Sequence, residues 1–347
     1  MGQFLDFFFL YLIKAALWVR YRITIKGIEN IHPEAMRKKG GMLFLPNHPT
    51  MFVDPTMLGM TLWKRFAVRP VIVEYMFFTP IVNWFMHRMK ALPMPNFSVS
   101  SNSIKRRQSE RALDELAQAL GEGENFMFYP AGRVQRAAYE RIGGSSGLHN
   151  ILQKAPEANV VLVRTKGLWG SSFSRAQTGS TPSMFPTIFA GVKKALKNLI
   201  FFTPKRHVEI EFVPAPDDFP YNGTKRELNR YLEEFYSRPD GLVDNPPDYR
   251  GDSLVLVPYS AWSNKLPEAT VLSEQGEEKI IDVTTIPDSV KKKVYQEIAH
   301  LGQCDVSQIE PSLNLSIDLG FDSLDVADVA AFLEDSFNVK GVSIANN

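Results

Sequence analysis

Cysteine is almost missing from this sequence. Cys304 is the only one in 347 residues, so a disulfide framework and a cysteine-rich metal site are both excluded. A reducing cytosol suits such a chain, though nothing imposes it. A strong charge of one sign is missing too. The net charge is +1 and 44% of residues are hydrophobic, an ordinary globular balance that rules out disordered and collagen-like classes. A secretory leader is not expected, because the N-terminus has neither a basic n-region nor an A-x-A-like cleavage site. Nor is there a clean membrane span near the start. Residues 4–19 are apolar except for Asp6 and Lys14, but the run is short and carries charge inside.

The near-neutral total conceals an asymmetry. From Cys304 onward the tail carries −7, which leaves +8 on residues 1–303. A basic body and an acidic tail point to two modules with different partners. The body's charge suits phosphates or an anionic bilayer, and nothing in the pattern calls for nucleic acid.

On the basic body, residues 3–20 read as a greasy helix. Its polar positions Gln3, Asp6, Lys14 and Arg20 fall on one stripe at 100° per residue. Phe4, Phe7, Phe8 and Phe9 give it more aromatic surface than a solvent-facing helix tolerates. The segment is expected to lie in a membrane interface, with Trp18, Arg20 and Arg22 at its edge. Tyr21 to Lys26 alternates polar and apolar residues, as a strand with one wet face does.

Chemistry gathers at three strand ends. The run Met42 to Leu45 breaks into Pro46-Asn47-His48-Pro49-Thr50, with Asp54 shortly after. A His with a carboxylate to fix its tautomer is the simplest general base at neutral pH. The run Asn125 to Tyr129 ends in Pro130-Ala131-Gly132-Arg133, where Gly permits close approach and Arg can fork two phosphate oxygens. The run Val160 to Val163 ends in Arg164-Thr165-Lys166-Gly167. On one sheet these ends converge, placing a base beside an anion pocket at the carboxyl edge, where open α/β sheets bind ligands.

Helices are predicted around these strands. One runs from Pro55 to Lys64, one from Tyr75 to Met89, and an amphipathic one from Ser103 to Leu120 closed by Gly121 and Gly123. Further helical pattern covers Pro186 to Leu199, and His207 to Val213 alternates as a late strand. Thr224 and Glu227 form a capping box for a helix reaching about Tyr236. A stretch rich in Pro, Asp, Asn and Gly then reads as a linker. In the tail, Val290, Val294, Ile298 and Leu301 step at helical spacing, and a second helix runs from Val326 to Phe337, with Ser323 at its N-terminus.

Asn47-His48-Pro49 with Asp54, Tyr129 to Arg133, Val161 to Arg164 with Gly167, and Phe173-Ser174-Arg175 together resemble the glycerophospholipid acyltransferase family, whose members use 1-acylglycerol-3-phosphate or 2-acylglycerophosphoethanolamine. The order of blocks is most similar to the acyltransferase half of bacterial 2-acylglycerophosphoethanolamine acyltransferase/acyl-acyl-carrier-protein synthetases. Separately, Asp318-Leu319-Gly320-Phe321-Asp322-Ser323-Leu324-Asp325 resembles the phosphopantetheine attachment site of acyl carrier proteins. The resemblance implies an α/β fold, a mixed sheet flanked by helices, followed by an all-α carrier bundle. Its expected layout is an acyltransferase domain over residues 1–240, a linker over 241–286 and an incomplete carrier domain over 287–347.

It also implies the roles. His48 and Asp54 would be catalytic, and Asn47, Gly132, Arg133 and Arg164 would bind substrate. Ser323 would carry covalent 4'-phosphopantetheine, and no metal is needed. The implied partners are an acyl thioester (acyl carrier protein, the chain's own carrier segment, or acyl-CoA), a lysophospholipid, a phosphopantetheinyl transferase, an adenylating synthetase domain and the cytoplasmic face of a membrane. The chain departs from the family pattern in two places. Five residues, Pro49 to Val53, separate His48 from Asp54 where the family has four, and Ala131 stands where the family has Glu. A carrier and membrane-docking module without catalysis, or transfer to an acceptor that is not a glycerolipid, are the alternatives those departures raise.

Overall fold

A computed structural model describes residues 2–32, 36–80, 82–95, 103–238, 286–302, 305–311, 313, 315, 319, 321 and 323–337. The linker expected over 241–286 lies outside them except for Ile286, as do Cys304, Asp318, Gly320 and Asp322.

The polypeptide begins with helix α1 (Gly2–Arg20), which runs directly into strand β1 (Tyr21–Lys26). Strand β2 (Met42–Pro46) precedes helix α2 (Val53–Phe66), and β3 (Arg69–Val73) precedes two short helices, α3 (Glu74–Phe77) and α4 (Val82–Arg88). The single helix predicted from Tyr75 to Met89 is thus two. Pro80 has no N–H to donate and pushes Thr79 away from helical geometry, so the helix breaks there. Strand β4 (Leu92–Met94), helix α5 (Ser103–Gly121), strand β5 (Phe126–Met127), helix α6 (Gly147–Lys154) and strand β6 (Asn159–Lys166) follow. The body ends with α7 (Met184–Lys197), β7 (Arg206–Pro214) and α8 (Lys225–Ser237), the last opened by the Thr224–Glu227 capping box.

The seven strands form one sheet in the order β1-β7-β6-β2-β5-β3-β4. Every pairing is parallel except β6 with β7. A sheet covered on both faces needs strands that are apolar throughout, and all five residues of β2 are buried. Because side chains alternate, each strand feeds two cores. Leu43, Leu45, Val160 and Leu162 pack toward α5, α6 and α8. Phe44, Val161 and Val163 pack on the opposite face with Met57, Leu58 and Leu62 of α2. The order β6-β2-β5 sets the three chemistry-bearing strands side by side and parallel, so their carboxyl ends share one edge.

In the tail, α9 (Asp288–Gly302) and α10 (Ser323–Phe337) bury a small cluster made of Ile298, Ala299, Ile309, Phe321 and Val329. An ion pair of 3.3 Å joins Asp325 to Lys225 at the start of α8.

Candidate active site

β2 ends at Pro46, and the turn that follows is held at nearly every polar atom. Asn47 is buried, and its amide makes a two-way clasp with β6: its Nδ2 donates to the Thr165 carbonyl at 3.0 Å, and its Oδ1 accepts from the Thr165 N–H at 2.7 Å. This fixes the residue next to His48 against the neighbouring strand. The His48 peptide is then gripped from the loop after β5. Its N–H donates to Glu140 Oε2 at 2.8 Å, and its carbonyl accepts from the Gln135 N–H at 2.8 Å.

The His48 ring meets Asp54 despite the extra residue between them. Nδ1 stands 2.9 Å from Asp54 Oδ2. A proton on Nδ1 donates to the carboxylate, which leaves Nε2 as the basic nitrogen. Asp54 lies in the first turn of α2 on the face shared with Met57 and Leu58, and it is fully buried. Helix N-termini favour a carboxylate, because their free N–H groups and the dipole present positive charge.

Thr50 ties the turn to the helix. The N-cap Phe52 offers no side-chain cap, and Thr50 Oγ1 instead accepts from the Asp54 N–H at 3.1 Å. In return the Thr50 N–H and Oγ1–H donate to Asp54 Oδ1 at 3.0 and 2.5 Å. Tyr129, at the end of the β5 strand region, donates its hydroxyl to Asp54 Oδ2 at 3.1 Å, and its ring lies 4.2 Å from the His48 ring. Burial and the adjacent Asp54 raise the Tyr129 pKa well above 10, so the phenol keeps its proton for that bond. Four donors therefore converge on Asp54, and they leave its position relative to His48 little freedom.

Glu140 was not visible as a site residue in the sequence, because it sits in a loop with no local motif. It is buried, and burial raises its carboxyl from 4.5 to about 7, against the opposing pull of the His48 N–H. Its loop is anchored from α8: Glu233 accepts from the N–H groups of Ile142 and Gly143 at 2.6 and 2.9 Å, and Asn229 donates to the carbonyls of Gly143 and Ser145.

Beyond this pair lies a cationic group. The Tyr129-Pro130-Ala131-Gly132 turn closes with the Gly132 N–H on the Tyr129 carbonyl at 2.9 Å, and Gly132 has a φ of 60°, which favours glycine. The turn delivers Arg133 at the surface. Desolvation lowers the Arg133 pKa first, and the guanidiniums of Arg136 and Arg175 lower it further. Arg175 is lowered by desolvation and by Arg136. Glu140 and Glu233 act on Arg133 in the opposite sense, and Arg175 donates from Nε and Nη2 to the Gly179 carbonyl; guanidiniums stay charged in proteins, so the group presents positive charge to an anion.

Arg164 is elsewhere. Its guanidinium is buried; Nε donates to the Tyr236 carbonyl at 3.0 Å and Nη2 donates to the Arg238 carbonyl. It ties β6 to the end of α8 rather than joining the arginines at the surface. Ala131 is half-buried against the core. The side chain of Ser323 lies outside what the structure describes, but the residue itself opens α10. Among the described residues, no group of three or more His, Cys, Asp or Glu stands close enough to hold a metal ion.

Comparison with known proteins bears on the same stretch. Residues 22–165 match the Acyltransferase family. Nothing among curated proteins matches. A solved structure with similarity is that of the 1-acyl-sn-glycerophosphate (LPA) acyltransferase, PlsC, from Thermotoga maritima. It has 18% sequence identity and a TM-score of 0.39, and the alignment covers 64% of this chain and 72% of that one. The segment that matches the Acyltransferase family, residues 22–165, holds His48, Asp54, Tyr129, Arg133 and Glu140.

Proposed function

We propose that the chain transfers a fatty acyl group from a thioester to the hydroxyl of a lysophospholipid. The observation that carries this reading is the His48–Asp54 pair, locked at 2.9 Å on the same sheet edge as the turn that delivers Arg133. The acceptor's phosphate is held by Arg133 with Arg136 and Arg175, which brings its hydroxyl toward His48. Nε2 takes the hydroxyl proton as the oxygen attacks the thioester carbon. The tetrahedral intermediate expels the thiolate, which receives that proton from His48, and the products are an ester and a free thiol. Asp54 holds the ring and offsets the imidazolium charge. The thioester is already activated, so no acyl-enzyme is required.

Arg164 is assigned a structural part in this scheme. The alternative of a body without catalysis takes its motive from two departures, the spacing of His48 and Asp54 and the Ala131 position; the 2.9 Å contact answers the first and leaves the second.

The donor is proposed to be a thioester on acyl carrier protein or coenzyme A, with the chain's own tail as one carrier. Ser323 would hold 4'-phosphopantetheine, whose chemistry is to present an acyl thioester on a long arm. As the first residue of α10, Ser323 places a phosphodiester at a helix N-terminus, which suits its charge. The domain is proposed to work at a membrane surface, to which α1 attaches it. No helix among the described residues is long and apolar enough to cross a membrane.

The test is His48→Ala, assayed by lipid mass spectrometry with acylated carrier protein or acyl-coenzyme A and a lysophospholipid. Losing a positioned general base costs about a hundredfold or more. Full turnover by the folded variant would overturn the mechanism.

A further inference from the structure

Helix α7 has an apolar face with nothing packed on it among the described residues. Phe185, Phe189, Val192, Leu196 and Leu199 recur at intervals of three and four, and all five are exposed, Phe189 at 72%. The chain does not turn inward after the helix. Leu199 and Ile200 both take left-handed backbone angles, unusual for any residue with a side chain and more so for a β-branched one. The turn thrusts Phe201 and Phe202 outward, 83% and 76% exposed. Soluble monomers seldom show water a contiguous apolar strip of this kind.

Charge around the strip is of one sign. No Asp or Glu occurs between Glu157 and Glu209, whereas Lys193, Lys194, Lys197 and Lys205 lie on α7 and its turn. The three lysines of α7 are exposed beside the apolar face. An amphipathic helix with aromatic and aliphatic residues on one side and lysines at its border is built for an anionic bilayer surface.

Topology places this strip at the site. β6 runs parallel to β2, so its end at Lys166 lies on the edge that carries His48. β7 runs back against β6, and its first residue, Arg206, continues from the α7 turn on that edge. β1 is parallel to β7 with Tyr21 opposite Arg206, which brings the end of α1 there too. The contacts agree: Lys205 Nζ sits 3.4 Å over the Trp18 ring, and Arg20 donates to the Pro204 carbonyl. Tyr11, Leu12 and Trp18 of α1 are exposed.

We infer that α7 and the Leu199–Phe202 turn are a second membrane-docking element, which lays its apolar face into an anionic phospholipid surface alongside α1 and orients the sheet edge of His48 toward the lipid. This deepens the reading of the domain as working at a membrane, and rests on it. A lysophospholipid then reaches the site from the bilayer without its acyl chain crossing water.

The experiment uses the full chain and vesicles of phosphatidylcholine, with and without about 30% phosphatidylglycerol, in a co-sedimentation assay. Three variants are compared: Phe189→Asp on α7 with Phe201→Asp on its turn (the α7 pair), Tyr11→Asp with Leu12→Asp on α1, and Phe201→Trp. Each buried Phe is worth about tenfold or more in partitioning, so the α7 pair should weaken binding about a hundredfold. Circular dichroism, the melting temperature and turnover of short-chain, water-soluble substrates should stay unchanged. Phe201→Trp should be quenched by brominated lipid, a result that stands even if the Asp variants fail to fold. Binding lost only with the α1 substitutions, while the α7 variant binds as the wild type does, would overturn the inference and leave the membrane reading intact. Failure of the wild type to bind any vesicle would overturn both. An oligomer that dissociates on α7 substitution while vesicle binding is unchanged would show that a second copy covers the face, and would overturn it as well.

Discussion

Replacing Glu140 by Gln separates the charge of this carboxyl from its hydrogen bond. Gln keeps a side-chain oxygen to accept from the His48 N–H, now at 2.8 Å, but it cannot ionise. In the folded protein, burial shifts Glu140 from 4.5 to about 7. Below pH 4.5 the group is protonated in folded and unfolded chains alike, so ionisation costs nothing. Between 4.5 and about 7 the unfolded chain gives up its proton first, so folding takes a proton up and stability falls as pH rises. Above about 7 the whole penalty is present. A tenfold step is worth about 1.4 kcal/mol, so the penalty comes to about 3 kcal/mol. In a domain of this size that is on the order of 10 °C in melting temperature. Calorimetric melts of both proteins from pH 3.5 to 8.5 measure it. The wild type should lose stability relative to Glu140→Gln across that range, and the gap between their midpoints should widen by that amount. Any fixed cost of the substitution cancels, because only the change with pH counts. Parallel curves would refute the buried, ionisable Glu140 beneath the His48 turn.

Two further outcomes test the acceptor and donor ends. Arg133→Ala removes a charged partner for the acceptor phosphate, so KM for the lysophospholipid should rise about tenfold or more while KM for the thioester holds; initial rates with each substrate varied in turn read the difference. Coexpression with a phosphopantetheinyl transferase should add one prosthetic group to the intact mass, and Ser323→Ala should abolish that addition.

Much of the body was legible because its signals are local. The unbroken apolar runs of β2 and β6 mark strands buried on both faces, and the Thr224–Glu227 box sits where the capping rule places it. The convergence of three strand ends was readable from the order of motifs, since parallel strands carry their carboxyl ends to one side. The parts that were not legible depend on distant partners. Glu140 reaches His48 across 92 residues, and its loop is held by α8, a helix still further along the chain. Arg164 follows a strand as a phosphate-binding arginine would, and only the position of the α8 carboxyl end decides that it serves carbonyls instead. The exposed face of α7 has the same periodicity as a packed one; spacing tells which residues share a face, not what lies against it.

The bond between Thr50 and Asp54 bears on how a loop of this kind can change in length over time. The geometry of the His48–Asp54 pair is measured from the first turn of α2, and the number of residues leading up to that turn can vary where one hydroxyl folds back onto it. An insertion before the helix is then a tolerable mutation, whereas one inside its first turn would rotate the carboxylate off the buried face. A search pattern that counts residues between His and Asp would pass over a chain whose two side chains nevertheless touch.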